Sequence, residues 1–281
     1  MTFSIAARCS RTGMLGVAVS TAVPGVGGIC PFIREGAGAI ATQSWVNPYL
    51  GIDGLELLAQ GLPAEEVARC LTEADPGRDV RQLGVVDREG RSASWTGKDC
   101  VPWCGHVTGD GFAAQGNMLT GEPVVAAMAD AFRRTEGLDL PERLLVCLEA
   151  GQAQGGDKRG RQSAAIRVFW KEAYPWVDLR VDEHRHPVAE LRRVFEVARH
   201  QLFPFTAGMP KRDDPHGGLP EGLVTTILQP PPFRAARNKP DVSGQIAMSQ
   251  LFGDPARGVL FLDDLLDACF TERIRVHRDF R

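Results

Sequence analysis

The sequence predicts an α+β protein built from two stacked antiparallel sheets with helices on their outer faces, and three observations predict it. Strand-like runs come in groups with helix-like runs paired between them, instead of alternating one for one. The strand runs are apolar at odd and even positions alike, as expected of a sheet covered on both faces. The turns between strand runs are short and glycine-bearing, as in hairpins.

Taken in order, "FSIAARC" and "LGVAVSTAV" are strands around the turn "SRTGM", and "AGAIATQSW" is a third strand after the glycine-rich "PGVGGICPFIREG". The period then changes. "GIDGLELLAQGL" and "PAEEVARCLTEAD" set Leu55, Leu58, Val67 and Leu71 at helical spacing, with Pro63 in a first turn and acids behind it. "QLGVVD", "REGRSASWTG" and "GFAAQGNML" return to strand character, with "DREG" turning a second hairpin. A second helix pair comes next in "GEPVVAAMADAFRRTEG" and "LPERLLVCLEAGQAQGG", each closed by glycine. "QSAAIRVFW" and "WVDLRVD" are strands, and "PVAELRRVFEVARHQLF" is a helix with Val188, Leu191, Val194 and Val197 on one stripe. The main domain is therefore expected over residues 1–203. Eight of the 19 prolines fall between Phe203 and Asp241, so residues 204–281 read as an irregular connector and a small terminal element that packs on the domain.

At 281 residues the chain is long enough to bury a sizeable core. A net charge of -3 with 24% charged residues offers no broad basic field for nucleic acid or acidic membranes. No apolar run approaches the roughly 20 residues of a bilayer span, and the N-terminus lacks the basic and apolar regions of a secretory signal, so a cytoplasmic protein is expected. Seven scattered cysteines fit reduced, mostly buried thiols better than a disulfide framework.

Thr2, directly behind Met1, is the first candidate for chemistry. Removal of Met1 leaves a threonine whose hydroxyl and α-amine belong to one residue, a nucleophile with its base attached. An α-amine titrates at about 7.7 to 8.0, so part of it is neutral at pH 7 and able to take the hydroxyl proton. Threonine is common at position 2, and what raises its interest is its place at the head of a buried strand, where Ser4 shares its face.

In "GQAQGGDKRGRQSAA", Gly151 and Gly156 have the spacing of a phosphate loop, but Asp157 stands where the lysine is required. The loop reads either as a solvated turn or as a wall offering Asp157 to an ammonium group and Arg159 or Arg161 to a carboxylate. "FAAQGNML" puts Gln115 and Asn117 on one face of an apolar strand, where they satisfy the core or stabilise an oxyanion. "ATQSWVNPY", with Gln43, Trp45 and Asn47 in phase, has the same two readings. Cys100, Cys104 and His106 are three metal-type side chains, one short of a structural zinc site. No metal or cofactor is expected. "DEHRH" reads as a surface connection, and no Gly-x-Ser-x-Gly elbow is present.

"TFSIAARCSRTGMLGVAVST", "GAGAIATQSWVNPYLGIDGLELLAQG", "ADPGRDVRQLGVVDREGRSASWTG", "PWCGHVTGDGFAAQGNML" and "LEAGQAQGGDKRGRQSAA" match, in order, the pattern of the family catalogued as domain of unknown function 1028, which the chain thus resembles. That family resembles the N-terminal nucleophile hydrolases, which include proteasome β-subunits and penicillin acylase. The resemblance spans about residues 1 to 200. It implies a four-layer αββα sandwich and amide hydrolysis through an acyl-enzyme, with Thr2 as nucleophile and its own amine as base. It implies a cleft ringed by Ser20, Gln43, Asn117, Asp157, Arg159 and Arg161. Asn117 is assigned to the oxyanion and the others to a small charged amide or peptide-like substrate. One departure stands out. Proteasome-type sites place a lysine beside the nucleophile, and none precedes Lys98 here, so Arg8, Arg34 or a loop arginine would have to serve. A metabolite-binding protein without catalysis is the competing reading, and a homodimer is the assembly considered.

Overall fold

The computed structural model describes residues 2–218. The connector and terminal element expected over 204–281 therefore lie, from residue 219 onward, outside the described residues. The strands are β1 (Thr2–Arg8), β2 (Leu15–Thr21), β3 (Pro31–Arg34), β4 (Gly38–Ser44), β5 (Arg81–Asp87), β6 (Ser92–Thr96), β7 (Gly105–Gly109), β8 (Phe112–Asn117), β9 (Ser163–Phe169) and β10 (Pro175–Val181). The helices are α1 (Pro48–Ala59), α2 (Ala64–Ala74), α3 (Pro123–Arg134), α4 (Leu140–Ala153) and α5 (Pro187–Gly208).

One sheet has the order β10-β9-β2-β1-β8-β7 and the other β3-β4-β5-β6, every neighbouring pair antiparallel. Helices α3, α4 and α5 cover the outer face of the larger sheet, where Phe3, Ile5, Phe112, Ile166 and Val168 meet Val125, Met128, Leu144, Leu148 and Phe195. Helices α1 and α2 cover the smaller sheet through Leu50, Leu58, Val67 and Leu71 on Ile40, Leu83 and Val85. Between the sheets lie smaller side chains, among them Ala6, Val17, Val19, Ala39, Ala41, Val86 and Ala113. The result is the expected α+β sandwich of four layers, helix, sheet, sheet, helix.

Two strands lie where the sequence pattern shows none. β3 sits inside the glycine-rich stretch and β7 has the sequence GHVTG. Neither has a long enough apolar alternation to register as a strand, and pairing with β4 and β8 creates both. Helix α1 starts earlier than its apolar spacing suggests, because the Asn47 side chain accepts from the Tyr49 N–H at 3.1 Å and Pro48 occupies the first turn. Helix α5 continues through Pro204 to Gly208, so the boundary expected at residue 203 falls inside it.

The alternation of β1 sets the polarity of the space between the sheets. Phe3 and Ile5 point into the helical layer, so Thr2, Ser4 and Ala6 point between the sheets. The inter-sheet layer is apolar around Ala6 and polar around Thr2. At that polar end Gly84 lets Gln115 in: a Cβ on Gly84 would clash with the Gln115 amide.

Candidate functional site

Thr2 lies at the floor of a cleft of ≈ 860 Å³, together with Gln43 of β4 and Asn117 of β8. Thr2 is paired in register with Asn117 on one side and Thr21 on the other, so the three side chains emerge on the same face. The Thr2 hydroxyl donates to Thr21 Oγ1 at 3.3 Å. The walls come from chain crossings at this end of the sandwich: Val23 to Cys30 after β2, Trp45 and Val46 after β4, Asp99 and Val101 after β6, and Arg159 before β9.

Beneath the nucleophile candidate runs a connected set of buried amides. Ser4 Oγ donates to Gln43 Oε1 at 2.6 Å, and Gln115 Nε2 donates to Ser4 Oγ at 2.6 Å. Gln43 Nε2 donates to the Thr2 carbonyl at 3.3 Å and to Gln82 Oε1 at 2.8 Å. Asn117 Nδ2 donates to the same Gln82 oxygen at 2.9 Å. Gln82 Nε2 in turn donates to the Gly116 carbonyl at 2.8 Å and to Thr96 Oγ1 at 2.9 Å. Gln82 thus holds both cleft amides in one orientation. Gln82 does not stand out among the sequence candidates, although it carries the same signal as Gln43 and Gln115, a glutamine in an otherwise apolar strand. Both Gln43 Nε2 hydrogens are engaged, whereas Asn117 Nδ2 uses one of its two on Gln82, which leaves the other for a ligand.

The backbone is strained beside the cleft. Three non-glycine residues among those described have positive φ, and two of them line it: Ser44 at φ 70 and Met118 at φ 51. Each is fastened by its neighbours. Trp45 N–H donates to the Val80 carbonyl at 3.1 Å, Met118 N–H to the Val101 carbonyl at 2.8 Å, and Lys158 N–H to the Met118 carbonyl at 3.1 Å. Left-handed conformations at ordinary residues persist where surrounding structure enforces them, and they concentrate at functional sites. The turn at Ser44 also takes Trp45 and Asn47 out of phase with Gln43, and Asn47 becomes the cap of α1.

The other expected site residues divide. Asp157 is buried, and its Oδ2 accepts from the Ala22 N–H at 3.0 Å while Oδ1 accepts from the Arg159 N–H at 2.9 Å. Arg159 Nη2 closes an ion pair with Asp157 at 3.2 Å. Asp157 therefore organises the loop from behind, and Arg159 is the one of the pair that lines the cleft. Arg161 is exposed and does not line it. Ser20 is out of phase with Thr21, pairs with Phe3, and donates to the Ser163 carbonyl at 3.2 Å, so it lies on the opposite face of the sheet from Thr2. Of the arginines considered in place of a lysine, Arg8 ends β1 roughly 20 Å away at ~3.3 Å per residue. Arg34 pairs with Glu56 on α1. Arg159 alone of the three stands at the cleft.

Cys30 lines the cleft, and burial pushes its thiol up to about 12, so it stays protonated beside Gln43. Cys100, Cys104 and His106 do not converge: Cys100 Sγ turns to the Arg81 carbonyl, Cys104 Sγ to the Cys100 carbonyl, and His106 Nδ1 to Thr96. Among the described residues no three His, Cys, Asp or Glu side chains gather as a metal site, and no helix is long and apolar enough to cross a membrane.

The model of the family of unknown function DUF1028 matches residues 2–191. The chain belongs to that family. The crystal structure of protein SPO2555 from Silicibacter pomeroyi, described under the same family, is 32% identical with a TM-score of 0.71, over 78% of this chain and 99% of that one. Anbu (ancestral beta-subunit) from Yersinia bercovieri matches at 12% identity and a TM-score of 0.35, over 72% of this chain and 96% of its own, which is too remote to carry an argument. No curated protein matches the chain.

Proposed function

We propose that this DUF1028 member is an amidohydrolase whose nucleophile is the hydroxyl of Thr2 after removal of Met1. The observation that carries the reading is the position of Thr2 Oγ1, on the floor of a cleft of ligand size and beside Asn117. The Thr2 α-amine takes the hydroxyl proton, directly or through water, as Oγ1 forms a bond to the amide carbonyl carbon. The free Nδ2 hydrogen of Asn117 faces the developing oxyanion. Collapse breaks the C–N bond, the amine departs with the proton, and an ester remains on Thr2. Water then cleaves the ester, releasing a carboxylic acid and restoring the hydroxyl. A second reading, a binding protein without turnover, is favoured by one observation: the basic side chain lining the cleft, Arg159, is already joined to Asp157.

The test is intact mass and then amide turnover. The expected mass lacks Met1, with turnover lost in Thr2→Ala, partly kept in Thr2→Ser, and circular dichroism unchanged in both. Retained methionine, or full turnover by Thr2→Ala, ends the nucleophile assignment. Ligand binding with no turnover by the wild type selects the second reading.

A further inference from the structure

We infer that the cleft selects amides bearing an apolar acyl group, and that Trp45 is the residue that sets this preference. The inference rests on the amidohydrolase reading for the bond that is cleaved, but its recognition argument stands on the cleft itself.

Trp45 is 72% exposed, and it stands with Ile29, 42% exposed, and Val101, 40% exposed, around the cleft that contains Thr2. An exposed indole on a loose loop is unremarkable, but the backbone that carries this one is fixed. The Trp45 backbone N–H donates to the Val80 carbonyl, and the Trp45 carbonyl accepts from Arg81 Nη1 at 2.7 Å. Arg81 is itself held by Asp75, with Nε 2.9 Å from Oδ2. The backbone therefore presents a large apolar face at little further cost in ordering when a ligand covers it. Deeper in, Val26 and Met118 continue the apolar wall toward Thr2.

The charges point the same way. Arg159 and Asp99 are the charged residues that line the cleft. The Arg159 guanidinium is neutralised by buried Asp157, and Asp99 is exposed and takes part in no ion pair among the described residues. Counting Asp157, the side chains sum to -1, so an anionic acyl group would be desolvated against valine and methionine with a carboxylate near by, and by favouring the protonated form of the Thr2 α-amine it would oppose that group's role as base. This differs from recognition of a small charged substrate by Asp157 with Arg159 or Arg161. Asp157 is spent on Ala22 and Arg159, and what remains open is an apolar surface with an oxyanion donor at its base.

The test uses full-length Thr2→Ala protein, which binds without cleaving, and calorimetry with N-acetyl-, N-hexanoyl- and N-adipoyl-glycinamide, the last ending in a free carboxylate. The hexanoyl compound is expected to bind at least tenfold tighter than either of the others, about the effect of 1.4 kcal/mol. Trp45→Ala in the same background is expected to erase that preference, with little change for the acetyl compound. Equal or tighter binding of the acetyl or adipoyl compound, absence of binding by all three, or a preference that survives Trp45→Ala overturns the inference. Failure of the wild type to cleave a hexanoyl amide that Thr2→Ala binds selectively refutes the hydrolase reading and supports the selectivity. Cleavage by the wild type with a preference for the adipoyl compound does the reverse.

Discussion

Replacing Gln82 by leucine should destabilise the protein far more than its modest change in size suggests. Gln82 Oε1 accepts from both Gln43 Nε2, at 2.8 Å, and Asn117 Nδ2, at 2.9 Å. All three side chains are 2% exposed or less, so water cannot take over. Leucine leaves two buried N–H donors without an acceptor, at about 1–3 kcal/mol each, for a loss of roughly 2–6 kcal/mol. Against a domain stability of about 5–15 kcal/mol this is a large fraction. With a urea dependence near 3 kcal/mol/M, a loss of ~4 kcal/mol lowers the unfolding midpoint by more than about 1 M. Glutamate at the same site gives a second, signed readout. Its second oxygen would face the Gly116 carbonyl where Nε2 now donates, so the protonated acid is favoured in the folded state and its titration moves up. The native state then binds more protons than the unfolded chain above the unfolded Glu value of about 4.3, and stability falls as pH rises. A Gln82→Leu midpoint within ~0.3 M of wild type, or a Gln82→Glu stability that rises from about pH 4 to 7, refutes the clamp.

Burial works against ionisation of Asp75, but Arg81, the Gly77 N–H and the Asn47 amide together hold its carboxyl below the ordinary value. Its stabilisation is therefore present above the unfolded Asp pKa of about 3.9 and is lost as pH falls through the lower folded value. Asp75→Asn should cost about 2 kcal/mol at pH 7 and flatten the acid limb of a stability–pH curve, and an unchanged limb would remove Asp75 from the account. Cys30, with its thiol pushed up to about 12, should resist iodoacetamide in the native protein at pH 8, and amide turnover should survive treatment. Mass-mapped labelling of Cys30 with loss of activity would point instead to a thiol nucleophile. Gly84→Ala should unfold at a markedly lower temperature than wild type, because its Cβ meets the Gln115 amide between the sheets, and an unshifted melting curve would show that the sheets part at little cost.

The layers are legible in the sequence because long apolar runs such as "LGVAVST" and "LPERLLVCLEAG" carry their own period. β3 and β7 are not, because PFIR and GHVTG, four and five residues without a sustained apolar alternation, become strands only when a neighbour supplies the hydrogen bonds. The site divides along similar lines. Thr2, Gln43 and Asn117 can be placed by strand phase, a local property, and they meet at one cleft. Ser20 and Arg161 are suggested by the family resemblance and by chemical type, and phase and exposure place them elsewhere. Asp157 reads as a ligand contact because sequence shows an acid in a polar loop, but not the Ala22 N–H waiting for it from the end of β2.

The choice of amides beneath Thr2 has a physical logic. Charged side chains between two sheets lined with alanine and valine would each carry a desolvation penalty of several kcal/mol, whereas Ser4, Gln43, Gln82, Gln115 and Asn117 pair donors with acceptors without net charge, at the smaller cost of a buried Gln115 Oε1 with no partner. A neutral floor cannot supply a proton acceptor, since an amide has no basic site near neutral pH. Cys30 is held in its protonated form and Asp157 is engaged from behind the wall. If Thr2 Oγ1 is to be activated within this cleft, the groups left are the exposed Asp99 carboxylate on the wall and the amine exposed by loss of Met1, and of the two only the amine arrives with the nucleophile. Acetylating that amine while leaving the hydroxyl intact should therefore abolish turnover and spare ligand binding, and an acetylated protein that still hydrolyses amides would require a base that this floor does not contain.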